Sequence, residues 1–331
     1  MAMDSPRAVT KPARKPSQEH PTPAAASTTF HDRYVLYAGR VRRGAVVPRT
    51  RWIVSNTSLE QFTEQGFLVL PGFLSAEQVA GLNKGVDDSL TGRPEDWWRL
   101  SDSFRQAPNV LPRTDLFDFT IEQRPILDLV ENWFGENISF EEFSILIRDP
   151  TENLNEAKGW HRDITRDYSR REEIDAVSLI YLLTDVEEDD HCFSIVPRSH
   201  DRLLHLRPNE HKPGDEVDIL GAAGTAILFH ARCLHCGKLK LKGRQRRSLH
   251  IYYSRAGGPR TSEWTDIPKR LYAKTDPSLP VQLYSKWNAT DVFDGTGKKP
   301  RNLPAGLSMA EMLREVQRRA RETAANTDRK R

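Results

Sequence analysis

The segment Gly159-Trp160-His161-Arg162-Asp163 places an imidazole and a carboxylate two residues apart. Alternate side chains of an extended segment share a face, so His161 and Asp163 can approach one divalent cation from the same side. Alone, a His-x-Asp triplet says little, because most are ordinary surface residues. The segment from Thr225 to His235 adds two further imidazoles, His230 and His235. Two histidines and one carboxylate on one face leave three coordination positions open, as in non-haem iron(II) oxygenases, where a bidentate 2-oxo acid and dioxygen (O2) must both reach the metal. The far carboxylate of such a co-substrate has to be neutralised, and the planar fork of an arginine pairs with it bidentately. Arg246 stands eleven residues after His235, beyond a turn at Gly243, and Ser248 follows on the same face as a further hydrogen-bond donor.

Other chemistries compete for the same stretch. Cys233-Leu234-His235-Cys236 has the spacing of a redox pair or of half a zinc site. A redox pair normally opens a helix, whereas Gly237 to Lys242 has the pattern of a strand or hairpin, and no second cysteine pair completes a zinc site. The basic run Lys238, Lys240, Lys242, Arg244, Arg246 and Arg247 alternates with Leu239 and Leu241, which fits a solvated hairpin face. A basic rim of this kind would also draw in an anionic substrate. His230 fits a buried strand histidine, His200 a turn residue bonded to its own loop, and His250 a core or outer-shell position.

The elements that must position these groups follow from hydrophobic period and turn chemistry. Leu59 to Gln65 fits a short helix stopped by Gly66, and Phe67-Leu68-Val69-Leu70 a buried strand. Ser75-Ala76-Glu77-Gln78 is a capping box that opens a second helix, and Thr120-Ile121-Glu122-Gln123 has the same form ahead of Ile126, Leu127, Leu129, Val130 and Trp133. Pro125 suits the first turn of that helix and Gly135 its end. From Ile138 to Ser254 the period becomes that of strands: 143–147, 176–183, 193–196, 225–229 and 248–253. Their spacing predicts a jelly roll rather than βαβ units, mainly β with flanking helices packed on one sheet. Ser308-Met309-Ala310-Glu311 opens a last helix that Leu307, Met309, Met312, Leu313 and Val316 would hold to the domain.

The 331 residues suit one large β-rich domain. Residues 1–33 are rich in Pro, Ala, Ser, Thr and Lys without hydrophobic period, so a disordered tail is expected ahead of a single domain over 34–331. With 49 basic and 46 acidic residues the formal charge is only +3, which gives no reason to expect nucleic acid as a partner. No run approaches the roughly 18 apolar residues of a membrane helix, and three cysteines make no disulfide framework, so a cytoplasmic compartment is expected.

Gln65-Gly66-Phe67-Leu68-Val69-Leu70-Pro71-Gly72-Phe73-Leu74-Ser75, Trp160-His161-Arg162-Asp163, Ile195-Val196-Pro197-Arg198-Ser199-His200 and Leu228 to His235 with Arg246 together resemble the phytanoyl-CoA dioxygenase family of iron(II)- and 2-oxoglutarate-dependent oxygenases. The resemblance runs from about Leu59 to Tyr253. It implies a double-stranded β-helix, with His161, Asp163 and His235 as metal ligands and Arg246 as the 2-oxoglutarate anchor. Ser248 and Tyr181 would also touch the co-substrate. Aspartate at 163 argues against the halogenase variant, which vacates that position for chloride. Two places depart from the family pattern: Arg198 replaces a glycine before Ser-His, and Cys192-Phe193, following His191, stands where Asn-Gly is usual. The implied reaction is hydroxylation of an aliphatic carbon of a small metabolite, an anionic one if the basic rim serves it, with release of succinate and CO2. The alternatives are a catalytically silent jelly-roll binding protein and a zinc or thiol protein centred on Cys233 and Cys236.

Overall fold

The computed structural model describes residues 56–135, 138–157, 159–163, 176–200, 211–241, 243–255 and 265–284. The chain divides into units 1–40 and 41–331, and every described residue lies in the second. The expected N-terminal tail and the helix expected from Ser308 fall outside the described residues.

Helix α1 (Asn56–Gln65) ends at Gly66, whose φ of 81° is a left-handed conformation. A side chain there would also collide with its surroundings: a Cβ would sit 2.4 Å from His200 Nδ1 and 2.5 Å from Cys233 Sγ. Strand β1 (Phe67–Leu70) follows at once. Ser75 caps α2 (Ala76–Gly92) as expected, accepting from the Gln78 N–H at 3.2 Å while Gln78 Oε1 accepts from the Ser75 N–H at 2.9 Å. Strands β2 (Trp98–Ser101) and β3 (Phe104–Ala107) come next.

The second capping box does not form. Thr120 lies inside a one-turn helix, α3 (Asp118–Ile121), where its hydroxyl donates to the Phe117 carbonyl at 2.6 Å. Helix α4 (Arg124–Phe134) starts instead at Gln123, with no side-chain cap, and ends at Gly135. Pro125 in the first turn fixes that start, since its missing N–H would be unpaired there in any case.

The remaining strands are β4 (Ile138–Arg148), β5 (Ala176–Leu182), β6 (Cys192–Ile195), β7 (Val217–Ile219), β8 (Ala226–His230), β9 (His235–Lys238) and β10 (Arg246–Arg255), followed by the one-turn α5 (Lys269–Tyr272). They form an antiparallel seven-stranded sheet in the order β1-β8-β5-β10-β4-β3-β2 and a three-stranded sheet in the order β7-β6-β9. This is the expected jelly roll.

Period-two alternation gives each strand of the large sheet two faces. Phe143, Ile145 and Ile147 of β4, Val177, Leu179 and Tyr181 of β5, and Leu249, Ile251 and Tyr253 of β10 join one apolar core with Leu82 and Val86 of α2 and Ile126, Leu127 and Val130 of α4. Burying each of these large side chains stabilises the fold by about 1.5–3 kcal/mol. The helices therefore cover one face of the large sheet. The alternate row of β10, namely Arg246, Ser248, His250 and Tyr252, points the other way.

That alternation corrects one expectation. Tyr181 pairs with Leu249, not with Ser248, and so belongs to the helix-facing row. Its hydroxyl donates to the Thr120 carbonyl at 3.1 Å and its ring lies 5.9 Å from that of Phe73. Tyr181 is a core residue on the far side of the sheet from Arg246.

Candidate active site

Two backbone segments meet to build the centre. The N–H of His161 donates to the His235 carbonyl and that of His235 to the His161 carbonyl, each at 2.9 Å, while the Asp163 N–H donates to the Ala231 carbonyl at 3.0 Å. This small ladder brings His235 to His161 and Asp163, more than seventy residues earlier in the sequence. Asp163 Oδ1 is 3.6 Å from His161 Nε2 and 3.5 Å from His235 Nε2. The ligand-capable atoms of all three residues lie within 4.8 Å of one another. The three residues that the sequence singled out as metal ligands thus lie together.

Both imidazoles are held in one tautomer. Nδ1 of His161 is 2.9 Å from the Gly159 carbonyl, and Nδ1 of His235 is 2.9 Å from the Cys233 carbonyl. A carbonyl only accepts, so each Nδ1 carries the proton and each Nε2 lone pair faces the centre. The rings of Phe193 and Phe229 pack at 5.3 and 4.8 Å from the His235 ring and shield it from water. Two imidazoles and a carboxylate on one side of a centre fit a divalent iron with open positions. The remaining oxygen of Asp163, Oδ2, accepts from the Tyr252 hydroxyl at 3.1 Å. Burial, then the charges of Asp163 and Glu142, hold that phenol well above its ordinary value, so it stays a donor.

At the opposite end of the β10 row, Arg246 is buried, with 8% of its surface exposed. Its Nη1 has no hydrogen-bond partner, and among the described residues no carboxylate pairs with it. Burial pulls its guanidinium below the usual arginine range, against a weaker pull upward from Cys192 and Cys236. Gly237 lies beside it: a Cβ there would stand 3.6 Å from Nη2, an ordinary van der Waals contact. Ser248 Oγ is buried in the same row, 3.1 Å from His250 Nε2.

A second buried guanidinium, Arg148, stands directly across the ladder from Arg246. It lies 4.0 Å above the Phe104 ring and donates to Ser103 Oγ at 3.2 Å. Burial, and then the charge of Arg246, bring its pKa down to about 10. Burial followed by the charge of Arg246 also lowers His191. The His191 Nε2–H donates to the Asp149 carbonyl and its Nδ1 accepts from the Lys240 N–H, both at 3.2 Å. His191, just before the departure at Cys192-Phe193, is therefore a wedge near the arginine end of the barrel.

Arg198, the other departure, has a φ of 62° with its side chain exposed. The family's glycine at this place answers to a left-handed backbone that Arg198 adopts against its preference.

Other motifs resolve into structural roles. His230 is buried as expected, with desolvation holding it well below its ordinary value. His200 Nε2 donates to the Thr63 carbonyl of α1 at 3.1 Å. Cys233 Sγ donates to the Gly66 carbonyl at 3.4 Å, and burial pushes the thiols of Cys233 and Cys236 up to about 12, the opposite of an activated thiolate. No cysteine joins the His-Asp-His cluster among the described residues. The basic hairpin is largely matched by acids: Lys238 and Lys240 pair with Asp218, Arg244 with Asp190 and Arg247 with Asp87. No helix among the described residues is long and apolar enough to cross a membrane.

Tyr252 and Arg148 are the two side chains at this centre that the sequence did not single out. The signal for Tyr252 was present, since it falls in the same even-numbered row of β10 as Arg246 and Ser248. Arg148 needed the pairing of β4 with β10, which only the folded sheet supplies.

Comparison with known proteins agrees with this fold. A probable alpha-ketoglutarate-dependent hypophosphite dioxygenase of Stutzerimonas stutzeri is 22% identical over 225 residues, covering 59% of this chain and 77% of that protein. Among solved structures, HygX from Streptomyces hygroscopicus with nickel and 2-oxoglutarate bound matches at TM-score 0.51 and 18% identity, over 62% of this chain and 89% of that one. The epimerase SnoN in complex with Fe3+, alpha ketoglutarate and nogalamycin RO matches at TM-score 0.52 and 19% identity, over 76% and 94%. At such identities the solved structures speak to the fold. The family model for phytanoyl-CoA dioxygenase (PhyH) matches residues 62–247, more than half of the chain. The chain therefore belongs to the phytanoyl-CoA dioxygenase family of iron(II)- and 2-oxoglutarate-dependent oxygenases.

Proposed function

We propose that His161, Asp163 and His235 hold the iron, that Arg246 and Ser248 grip the far carboxylate of 2-oxoglutarate, and that the reaction hydroxylates an aliphatic carbon of a small organic metabolite. The observation that carries this assignment is the buried guanidinium of Arg246 with an unsatisfied Nη1. A buried charge is costly unless paired, so an arginine in this state is a site prepared for an anion. 2-Oxoglutarate is a dicarboxylate, and its carboxylate remote from the keto group would meet that need at Arg246. When bound, iron and the 2-oxo acid supply the oxidising power for breaking a C–H bond, and the protein supplies placement.

The chain's own residues then have distinct tasks. The carbonyls of Gly159 and Cys233 hold the two imidazoles with Nε2 inward, and Asp163 adds one negative charge to the ligand set. Phe193 and Phe229 keep water from His235. Arg246 fixes the direction of the co-substrate through its fork, and Arg148 adds positive potential from the neighbouring strand. An anionic substrate draws no support from the hairpin at 238–247, whose charges are mostly paired; the substrate is proposed only as a small organic molecule.

The test is succinate formation from 2-oxoglutarate under air, with added iron(II) and ascorbate. Slow uncoupled turnover is expected from the wild type and none from Asp163→Ala. Absence of succinate, together with absence of metal and 2-oxoglutarate binding by the wild type, would overturn the proposal and favour a silent jelly-roll binding protein.

A further inference from the structure

We propose that Tyr252 is a positioning residue that fixes the ligand carboxylate of Asp163 in a one-oxygen mode. The inference rests on the assignment of Asp163 as a metal ligand. A carboxylate has two oxygens, and one facing a metal with both of them takes an extra coordination position. In this centre the two oxygens have different surroundings. Oδ1 lies 3.6 and 3.5 Å from the two Nε2 atoms, whereas Oδ2 accepts from the Tyr252 hydroxyl at 3.1 Å. The phenol therefore does for Asp163 what the carbonyls of Gly159 and Cys233 do for the two histidines: it holds the polar atom that does not face the centre.

The origin of the two partners gives this bond a second consequence. Asp163 is tied by its backbone to Ala231, beside the bridge between His161 and His235. Tyr252 comes from the large sheet, between Ser178 of β5 and Glu142 of β4. Their hydrogen bond joins the ligand-bearing segments to the opposite wall of the barrel. Immediately after Tyr252 the register shifts: Tyr252 pairs with Glu142 but Tyr253 with Phe140, leaving Glu141 as an extra residue. Bulges of this kind re-aim a side chain beside an active site.

Removing an outer partner of a metal ligand typically costs about 10–100-fold in metal affinity. Manganese(II) binding to the anaerobic, metal-free protein, followed by the electron paramagnetic resonance of free Mn(II), reads this without turnover. Tyr252→Phe is expected to weaken Mn(II) by about 10–100-fold. Tyr181→Phe, which removes a buried phenol on the other face of the sheet, is expected to bind Mn(II) as the wild type does. Urea unfolding of both metal-free variants separates positioning from packing, because a merely structural tyrosine would lower stability without moving the Mn(II) constant. Tyr252→Leu also lacks a donor and carries the same expectation if the phenylalanine variant does not fold. Wild-type Mn(II) affinity in a folded Tyr252 variant would overturn the role of Tyr252. If the wild type binds Mn(II) no better than Asp163→Ala does, the metal-site assignment itself fails, and the role of Tyr252 with it.

Discussion

Arg246→Met separates a ligand-binding guanidinium from a structural one. The thioether chain fills similar space but carries neither charge nor fork. In the wild type the guanidinium is buried, Nη1 is unsatisfied and Arg148 stands opposite in register, so its removal strands no protein partner. The stability of the metal-free protein should therefore change by less than about 1 kcal/mol, or rise. Co-substrate binding should respond very differently. Loss of a charged fork leaves a buried carboxylate unpaired, at about 3–5 kcal/mol, and about 1.4 kcal/mol corresponds to a tenfold change. Binding of 2-oxoglutarate to the Mn(II)-loaded protein should weaken by roughly two to three and a half powers of ten. Arg246→Lys keeps the charge without the planar fork and should fall between the two. Anaerobic calorimetry gives the binding constant and urea unfolding the stability. A variant destabilised by more than about 3 kcal/mol, with 2-oxoglutarate affinity intact, would show that Arg246 is a paired structural charge and would refute the reasoning.

Three further outcomes are expected. His191 and His230 are held below their ordinary value, so the unfolded chain takes up protons first as pH falls. Their contribution to stability is full above about 6.5 and is lost as pH falls toward their folded values; the urea midpoint should be lower at pH 5.5 than at pH 7.5, and His191→Gln should narrow the gap. Equal midpoints would remove both histidines from the account. Arg198→Gly relieves a left-handed backbone and removes only an exposed side chain, so it should raise unfolding free energy by roughly 1 kcal/mol after the added flexibility of glycine; a loss of stability would mean that the arginine makes a favourable contact. Tyr181→Phe strands the buried Thr120 carbonyl and should cost about 1–2 kcal/mol of stability while leaving the 2-oxoglutarate constant unmoved; a weakened constant would return Tyr181 to the co-substrate site.

Strong local signals were legible in the sequence, and signals that depend on pairing were not. Gly66, the Ser75 capping box, Pro125 and Gly135 each act through the backbone of a few neighbours, so their elements lie close to where the sequence put them. The β-rich runs from Phe143 to Tyr253 carry their period in apolar residues. Strands β2, β3 and β7 contain Arg99, Arg105 and Asp218 and are strands only because a neighbour pairs with them. Thr120 matched a capping pattern, yet its hydroxyl found a nearer carbonyl three residues back. Tyr181 was assigned by strand membership alone. A strand has two faces, and its pairing with Leu249 rather than Ser248 chose the one that points away from Arg246.

The same two-faced geometry explains why so much of the site depends on one strand. Even-numbered residues of β10 run from Arg246 at the co-substrate end to Tyr252 beside Asp163, about 20 Å of chain at ~3.3 Å per residue. Odd-numbered Leu249, Ile251 and Tyr253 hold that strand against the helices. A slip of one residue would turn Arg246 and Tyr252 into the apolar core and bring three large apolar side chains into the barrel, so burial of the odd row enforces the register of the even row. Ten ladder partners on β4 and seven on β5 fix that register from both sides, and it shifts only after Tyr252, once the last of the four inward positions has been placed. Core packing and site geometry are thus one constraint on β10. Substitutions in its odd row that loosen packing should therefore weaken metal and co-substrate binding together, whereas substitutions at Arg246 or Tyr252 should separate the two.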